Sequence, residues 1–161
     1  MKFLDFEYDI SRADVKEGFK NYKNYLQENE NNFPKSAFKF AAAEWHYDTM
    51  DHRCPHDAWV ESLSILEKHL PKTESGKGIK IELILLGAYH DGQLKITYEN
   101  VRSYQLNLLS SGFEKSHHGD WIIDEVQLSE NNFVIHEIKF WLNGNWQIEC
   151  EDIKYEWLPF E

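Results

Sequence analysis

The twelve residues Asp91 to Arg102 recur as Asn143 to Lys154, at a constant offset of 52 positions. Asp-Gly-Gln-Leu-Lys-Ile-Thr-Tyr-Glu-Asn-Val-Arg lines up with Asn-Gly-Asn-Trp-Gln-Ile-Glu-Cys-Glu-Asp-Ile-Lys. Every position keeps its polar or apolar class when cysteine counts as apolar. Upstream, His56-Asp57-Ala58-Trp59-Val60 matches His118-Gly119-Asp120-Trp121-Ile122 at an offset of 62, so the first copy holds a loop ten residues longer. Each copy reads as a three-stranded meander: an opening Trp strand, a long middle strand, a turn and a return strand. The period-two runs Trp59, Glu61, Leu63, Ile65 and Ile79, Ile81, Leu83, Leu85 fit such strands. Asp91-Gly92 and Asn143-Gly144 supply the turns, of the kind that needs positive φ at both central residues. Alternation and tight turns are generic to meanders, and the constant offset favours an internal duplication.

Both return strands change parity at the same place. After Leu94, Ile96 and Tyr98 comes the polar pair Glu99-Asn100, and the opposite parity starts at Val101. After Trp146, Ile148 and Cys150 comes Glu151-Asp152, followed by Ile153, Tyr155 and Trp157. A one-residue slip moves an entire apolar set to the other face, so each site is expected to be a bulge or bend. A strand that bends there can serve two packing surfaces.

The N-terminal third is helical in period. Ser11 is placed to cap a helix whose Val15, Phe19, Tyr22 and Leu26 share one face. Pro34 suits a second helix start, with Phe38, Ala41, Ala42 and Trp45 at i, i+3, i+4 and i+7. Alternation of Phe38, Phe40 and Ala42 would also fit a strand and would make the chain an all-β sandwich. The alanine run favours helix. The expected class is α+β in one domain, 1–161. Two helices lie within 1–50, with meanders over 56–106 and 118–158, forming one curved sheet or two packed sheets. The loop from Pro71 to Gly78 is polar.

Composition narrows the function. A net charge of −11 opposes binding to nucleic acid or an anionic membrane, since both need clustered Lys and Arg. The first residues show no apolar leader, and no apolar run reaches the roughly 18–20 residues of a bilayer span, so a cytoplasmic location is expected. Cys54 and Cys150 are then expected to be reduced. There is no phosphate loop, His-Glu-x-x-His, Cys-x-x-Cys or Gly-x-Ser-x-Gly, so nothing recommends an enzyme.

The densest polar cluster runs from His46 to Asp57. His46, His52, Cys54 and His56, with His118 as a distant fourth-ligand candidate, could hold a transition metal such as zinc. The spacing is not that of a structural zinc site, and the opposing view is a polar connection in which Asp57 caps or pairs with Arg53. No cofactor is the leading expectation. His117-His118-Gly119-Asp120 has a His-Asp pair, but neighbours on an extended loop point apart. His56 and His118 are instead expected to hydrogen-bond backbone at a strand start. His136 shares a parity with Val134, Ile138, Phe140 and Leu142 and reads as a satisfied core histidine.

Trp141, Tyr89, Tyr104 and Trp157 have the parity of exposed aromatics, and Glu149, Glu151, Asp152, Glu156 and Glu161 make the C-terminal strand acidic. The stretch from Asp51-His52-Arg53-Cys54-Pro55-His56-Asp57-Ala58-Trp59 through Val101, with His136-Glu137-Ile138 and the Asn-Gly return strand, resembles small uncharacterised bacterial proteins. Some of these accompany secreted toxins as immunity proteins, and the resemblance covers about two thirds of the chain. It implies a non-catalytic interaction module, an immunity-type inhibitor whose negative surface speeds encounter with a basic partner. The expected partner surface is Trp141, Glu149, Glu151, Asp152, Glu156 and Trp157. The alternative is a metal-dependent enzyme or metal-binding protein built on the histidine cluster.

Overall fold

A computed structural model of the chain describes residues 1–6, 11–69, 76–108, 117–141 and 144–161. Two helices, α1 (Arg12–Asn29) and α2 (Lys35–Ala41), are separated by a 3-10 turn at Glu30–Asn32. The strands are β1 (Trp59–His69), β2 (Lys77–Leu86), β3 (Gly92–Val101), β4 (Ser103–Asn107), β5 (Trp121–Leu128), β6 (Val134–Phe140), β7 (Asn145–Cys150) and β8 (Asp152–Pro159). The α+β class holds, and residues 35–41 are helix. Among the described residues no helix is long and apolar enough to cross a membrane.

The strands make two antiparallel sheets, β1-β2-β3-β8 and β4-β7-β6-β5. The two meanders therefore exchange their last strands. β3 continues into β4, which pairs with β7 of the other sheet, and β7 continues into β8, which pairs with β3. The crossing lies where the parity changes. Asn100 takes φ +50, and the β2–β3 register shifts between Ile79 and Ile81. Arg102 N–H donates to the Glu149 carbonyl (2.7 Å) and Glu151 N–H to that of Glu99 (3.0 Å). The ion pairs at the crossing are reciprocal: Lys154 Nζ lies 3.1 Å from Glu99 Oε1, and Arg102 pairs with Glu151. Glu99 and Glu151 are mates in the repeat, as are Arg102 and Lys154, so each pair is the other with the copies interchanged. The opening strands match too, with register shifts just after Trp59 and at Trp121.

The inner faces fill one core. Ile81, Leu83, Leu85, Leu94, Ile96 and Tyr98 come from the first sheet, and Trp121, Val126, Ile138, Trp146 and Ile148 from the second. Ser11 accepts from Asp14 N–H to cap α1, whose Tyr22 and Leu26 are buried. Pro34 offers α2 no side-chain cap. Asp152 at the start of β8 supplies it, accepting from Ala37 N–H (3.2 Å) and from Ser36 Oγ. α2 stops at Ala41, short of Trp45, because His46 Nδ1 reaches back to the Phe40 carbonyl (2.8 Å), one of the acceptors a helix end leaves open.

The free edge of β5 is closed by side chains. Tyr22 O–H donates to the Val126 carbonyl and accepts from Val126 N–H, both at 2.9 Å. Tyr25 accepts from Leu128 N–H (2.8 Å), and Tyr47 donates to the Asp124 carbonyl (3.0 Å). His56 Nδ1 donates to the Ile122 carbonyl (2.7 Å), and Trp121 exchanges main-chain bonds with Asp57 and Ala58. A buried unpaired main-chain group is costly, and here α1 and the following loop satisfy the strand without adding another one.

Two turn expectations change. Asp91-Gly92 does not form a two-residue turn. Gly87 N–H donates to the Gly92 carbonyl (3.0 Å), closing a loop over 88–91 in which His90 takes the positive φ of +57. Gly92 is already in β3 and is needed for contact: a Cβ there would meet the Trp157 ring at 2.5 Å and the Leu158 carbonyl at 2.9 Å. Asn143 lies outside the described residues, and Phe140 N–H closes that loop on the Gly144 carbonyl (2.9 Å). Most of the expected 71–78 loop is likewise outside the described residues, but Lys77 and Gly78 belong to β2.

Gly92→Ala is expected to lower stability by about 1–3 kcal/mol, the range for overpacking a filled site, and to displace the Trp157 ring. Gly144→Ala, whose nearest obstacle is the Asn107 carbonyl at 3.2 Å, is expected to cost less. Thermal unfolding of both variants, followed by tryptophan fluorescence, checks the difference.

Candidate functional site

The strand crossing sets Tyr98 of the first sheet against His136 of the second, and the loop after α2 adds His46. Both histidines converge on Asp124, and Tyr98 joins through His136. His46 Nε2 (2.8 Å) and His136 Nε2 (2.9 Å) both reach Asp124 Oδ2, and Trp121 Nε1 donates to Oδ1 (3.1 Å). The Phe40 carbonyl only accepts, so His46 Nδ1 donates to it. The Tyr98 hydroxyl bonds His136 at Nδ1 (2.9 Å). Burial alone would raise the Asp124 pKa, but the His46 charge and the hydrogen bonds from His136 and His46 outweigh it and hold the carboxyl well below its ordinary value. The cluster is paired and almost wholly inaccessible, with His46 and His136 side chains at 0% exposure and Asp124 at 1%.

The five candidate metal ligands do not converge. His46 is spent on Phe40 and Asp124. Cys54 is buried, donates to the His46 carbonyl (3.1 Å), and has its thiol pushed up by burial to about 11. Cys150 is buried as well, its thiol pushed up by burial to about 12, and both cysteines are free. His52 is exposed, pairs with Asp91 and stacks on Tyr89. His56 bonds the Ile122 carbonyl, so the backbone role holds, though on β5 rather than its own strand. His118 does not share it: its Nδ1 is buried without a partner, its ring edges onto Trp146, and burial first and then His117 lower its pKa. Among the described residues no three His, Cys, Asp or Glu side chains are placed to hold a metal ion. Arg53 pairs with Asp51, not Asp57, through Nε (2.9 Å) and Nη2 (2.7 Å).

The expected partner residues are also dispersed. Trp141, 58% exposed, sits at the β6–β7 turn, while Trp157 sits near the end of β8. Twelve residues of strand separate Asn145 from Trp157, a path of about 40 Å. Glu149 accepts from Ser103, Glu151 holds Asn100 and Arg102, and Asp152 caps α2. Only Glu156 and Trp157 join a larger feature, a groove of about 1140 Å³ between α2, the loop after it and β8. Trp45 and Tyr155 form its floor, ring centroids 4.4 Å apart, with Phe40 behind Tyr155 at 5.5 Å. Arg53 lies over Trp45 at 5.5 Å, and its carbonyl accepts the Tyr155 hydroxyl (2.8 Å). The rim adds Glu44, Asp48 and Lys39, none of them in an ion pair among the described residues. The groove thus sets two partly buried aromatic side chains beside charges that are in no ion pair.

Sequence reading missed Trp45, Tyr155 and Asp124. The first two were assigned to core stripes, and their joint exposure depends on α2 ending early. Asp124 had a signal: Asp-Glu within Trp-Ile-Ile-Asp-Glu-Val places two carboxylates in an apolar strand, where charge persists only with partners. Glu125 is the second, fully buried and accepting from Lys2, Phe3 and Leu4 N–H at 2.7–2.8 Å. Compared with protein families, curated proteins and solved structures, the chain matches none.

Asp124→Asn removes the anion on which His46 and His136 meet, and is expected to cost about 3–5 kcal/mol in denaturant unfolding. The sign with pH follows. Because the native carboxyl is more acidic than the unfolded one, the unfolded chain binds the extra proton, so the Asp124 contribution is whole above about pH 4 and is lost as pH falls through the native value. Stability measured from pH 7 downward is expected to fall less steeply in the variant than in the wild type.

Proposed function

We propose that this chain is a non-catalytic interaction module, an inhibitor of the immunity type that holds a basic protein partner. The observation that supports it best is the groove beside α2 and β8, where Trp45, Tyr155 and Trp157 meet Glu44 and Asp48, carboxylates in no ion pair among the described residues, on a chain of net charge −11. The reading is also supported by the state of the titratable core, whose histidines and carboxylates are engaged with one another. An aromatic centre with a charged rim suits a protein surface: the rings supply affinity, and the rim steers encounter and selects the partner's sign.

The test is whether the gene directly upstream encodes a basic, toxin-like protein, and a binding titration of that protein against this chain; a neighbourhood of metabolic genes would count against the reading. Trp45→Ala is expected to weaken binding by at least about tenfold, Glu44→Lys with Asp48→Lys to slow association, and Trp141→Ala to leave both unchanged. Raising salt is expected to slow association of the wild type. Groove variants that bind like the wild type would overturn the reading.

A further inference from the structure

Among the described residues β1 is the longest strand and ends the first sheet with its outer edge unpaired. Its main chain bonds only to β2 among the described residues. The other edges are treated differently. β5 is sealed by phenols and His56, β8 is covered where Asp152 caps α2 and Tyr155 bonds Arg53, and β4 has five residues. Along β1, Ile65 and Leu66 are 41% and 39% exposed. A long open edge with exposed apolar side chains is a template for another strand.

We infer that β1 pairs with β1 of a second copy, antiparallel about a two-fold axis at Ile65, joining two four-stranded sheets into one of eight. The side chains select both occupant and register. A two-fold axis normal to the sheet keeps each face, so residues of equal parity oppose one another. With Ile65 on the axis, Ile65 meets Ile65, Ser64 meets Leu66, Leu63 meets Glu67 and Ser62 meets Lys68, with no like charges opposed. Centring on Ser64 would set Glu61 against Glu67, and centring on Leu66 would set the exposed Ile65 against Glu67, where the Ile65 register places the more buried Leu63. The local charge also permits approach. β1 and β2 together hold Glu61, Glu67 and Glu82 against Lys68, Lys77 and Lys80, an even balance on a strongly acidic chain. β1 and β8 are opposite edges of their sheet, so this dimer leaves both grooves free at its two ends, and its failure would be separate from failure of the groove reading.

Sedimentation equilibrium of the full chain, free of any partner, is expected to show a reversible monomer–dimer system. Ile65→Lys, which sets two ammonium groups face to face at an exposed position, is expected to raise the dissociation constant about tenfold or more. Ile65→Cys is expected to give a disulfide-linked dimer on mild oxidation, because opposed Cα atoms in an antiparallel pair are about 4.5–5.5 Å apart, within disulfide reach. Leu66→Cys, which faces Ser64, is expected to cross-link far less, and buried Cys54 and Cys150 leave the new thiol as the accessible one. Amide exchange over 61–68 is expected to slow as concentration rises. A chain that stays monomeric at every soluble concentration, a dimer indifferent to Ile65→Lys, or pairing only with a strand of another protein would each overturn the inference.

Discussion

Everything else in this fold depends on two strands leaving the sheet in which they begin. The crossing is enforced by burial more than by charge. Val101 and Ile153, mates in the repeat and the first apolar residues after each parity change, are 7% and 0% exposed. Keeping either strand in its first sheet would turn that residue to water, at about 1.5–3 kcal/mol for a full aliphatic side chain. The reciprocal Glu–Lys and Glu–Arg pairs at the crossing are half-exposed and worth about 0–1 kcal/mol each. They mark the two-fold relation of the copies more than they hold it.

The exchange also explains why a buried charge is tolerated. It places β3 beside β7, so that Tyr98 touches His136 on β6 and the Asp124 cluster spans both sheets. His46 extends the same cluster to the loop that follows α2. One buried carboxylate thus ties together four segments that apolar contact alone would let slide. Desolvating it is expensive, and the cost is offset only because three donors from different elements reach it at once. The arrangement is all-or-none, which is how such a cluster specifies a single packing.

Much of this was legible in the sequence because it rests on local rules. Period, capping and the parity switch predicted both helices, both meanders and the two bends, since each depends on residues close in the chain. The turn at Asp91-Gly92 was misread because its glycine is required by Trp157, 65 positions away. The histidine cluster was misread for the same reason. His46, His52, Cys54 and His56 are neighbours in sequence, but the three histidines are taken by different distant partners, Asp124, Asp91 and the Ile122 carbonyl, and Cys54 turns to the His46 carbonyl. Proximity in sequence says which residues could meet, and the sheet registers decide which do.

The same distinction changes what the net charge of −11 means. Asp124 and Glu125 are buried in bonding, Asp152 caps a helix it is remote from, and Glu99 and Glu151 are paired at the crossing. On the first sheet's outer face, Lys80, Glu82, Lys95 and Glu156 form a chain of opposite charges. Acid counted along the C-terminal strand is therefore largely consumed inside the molecule. What stays available to a partner is set by carboxylates outside ion pairs, and Glu44 and Asp48 beside the partly buried Trp45 ring meet that condition among the described residues. A partner drawn by the overall field would thus be oriented by a small, specific part of it, because screening leaves distant charges to steer and only close ones to discriminate.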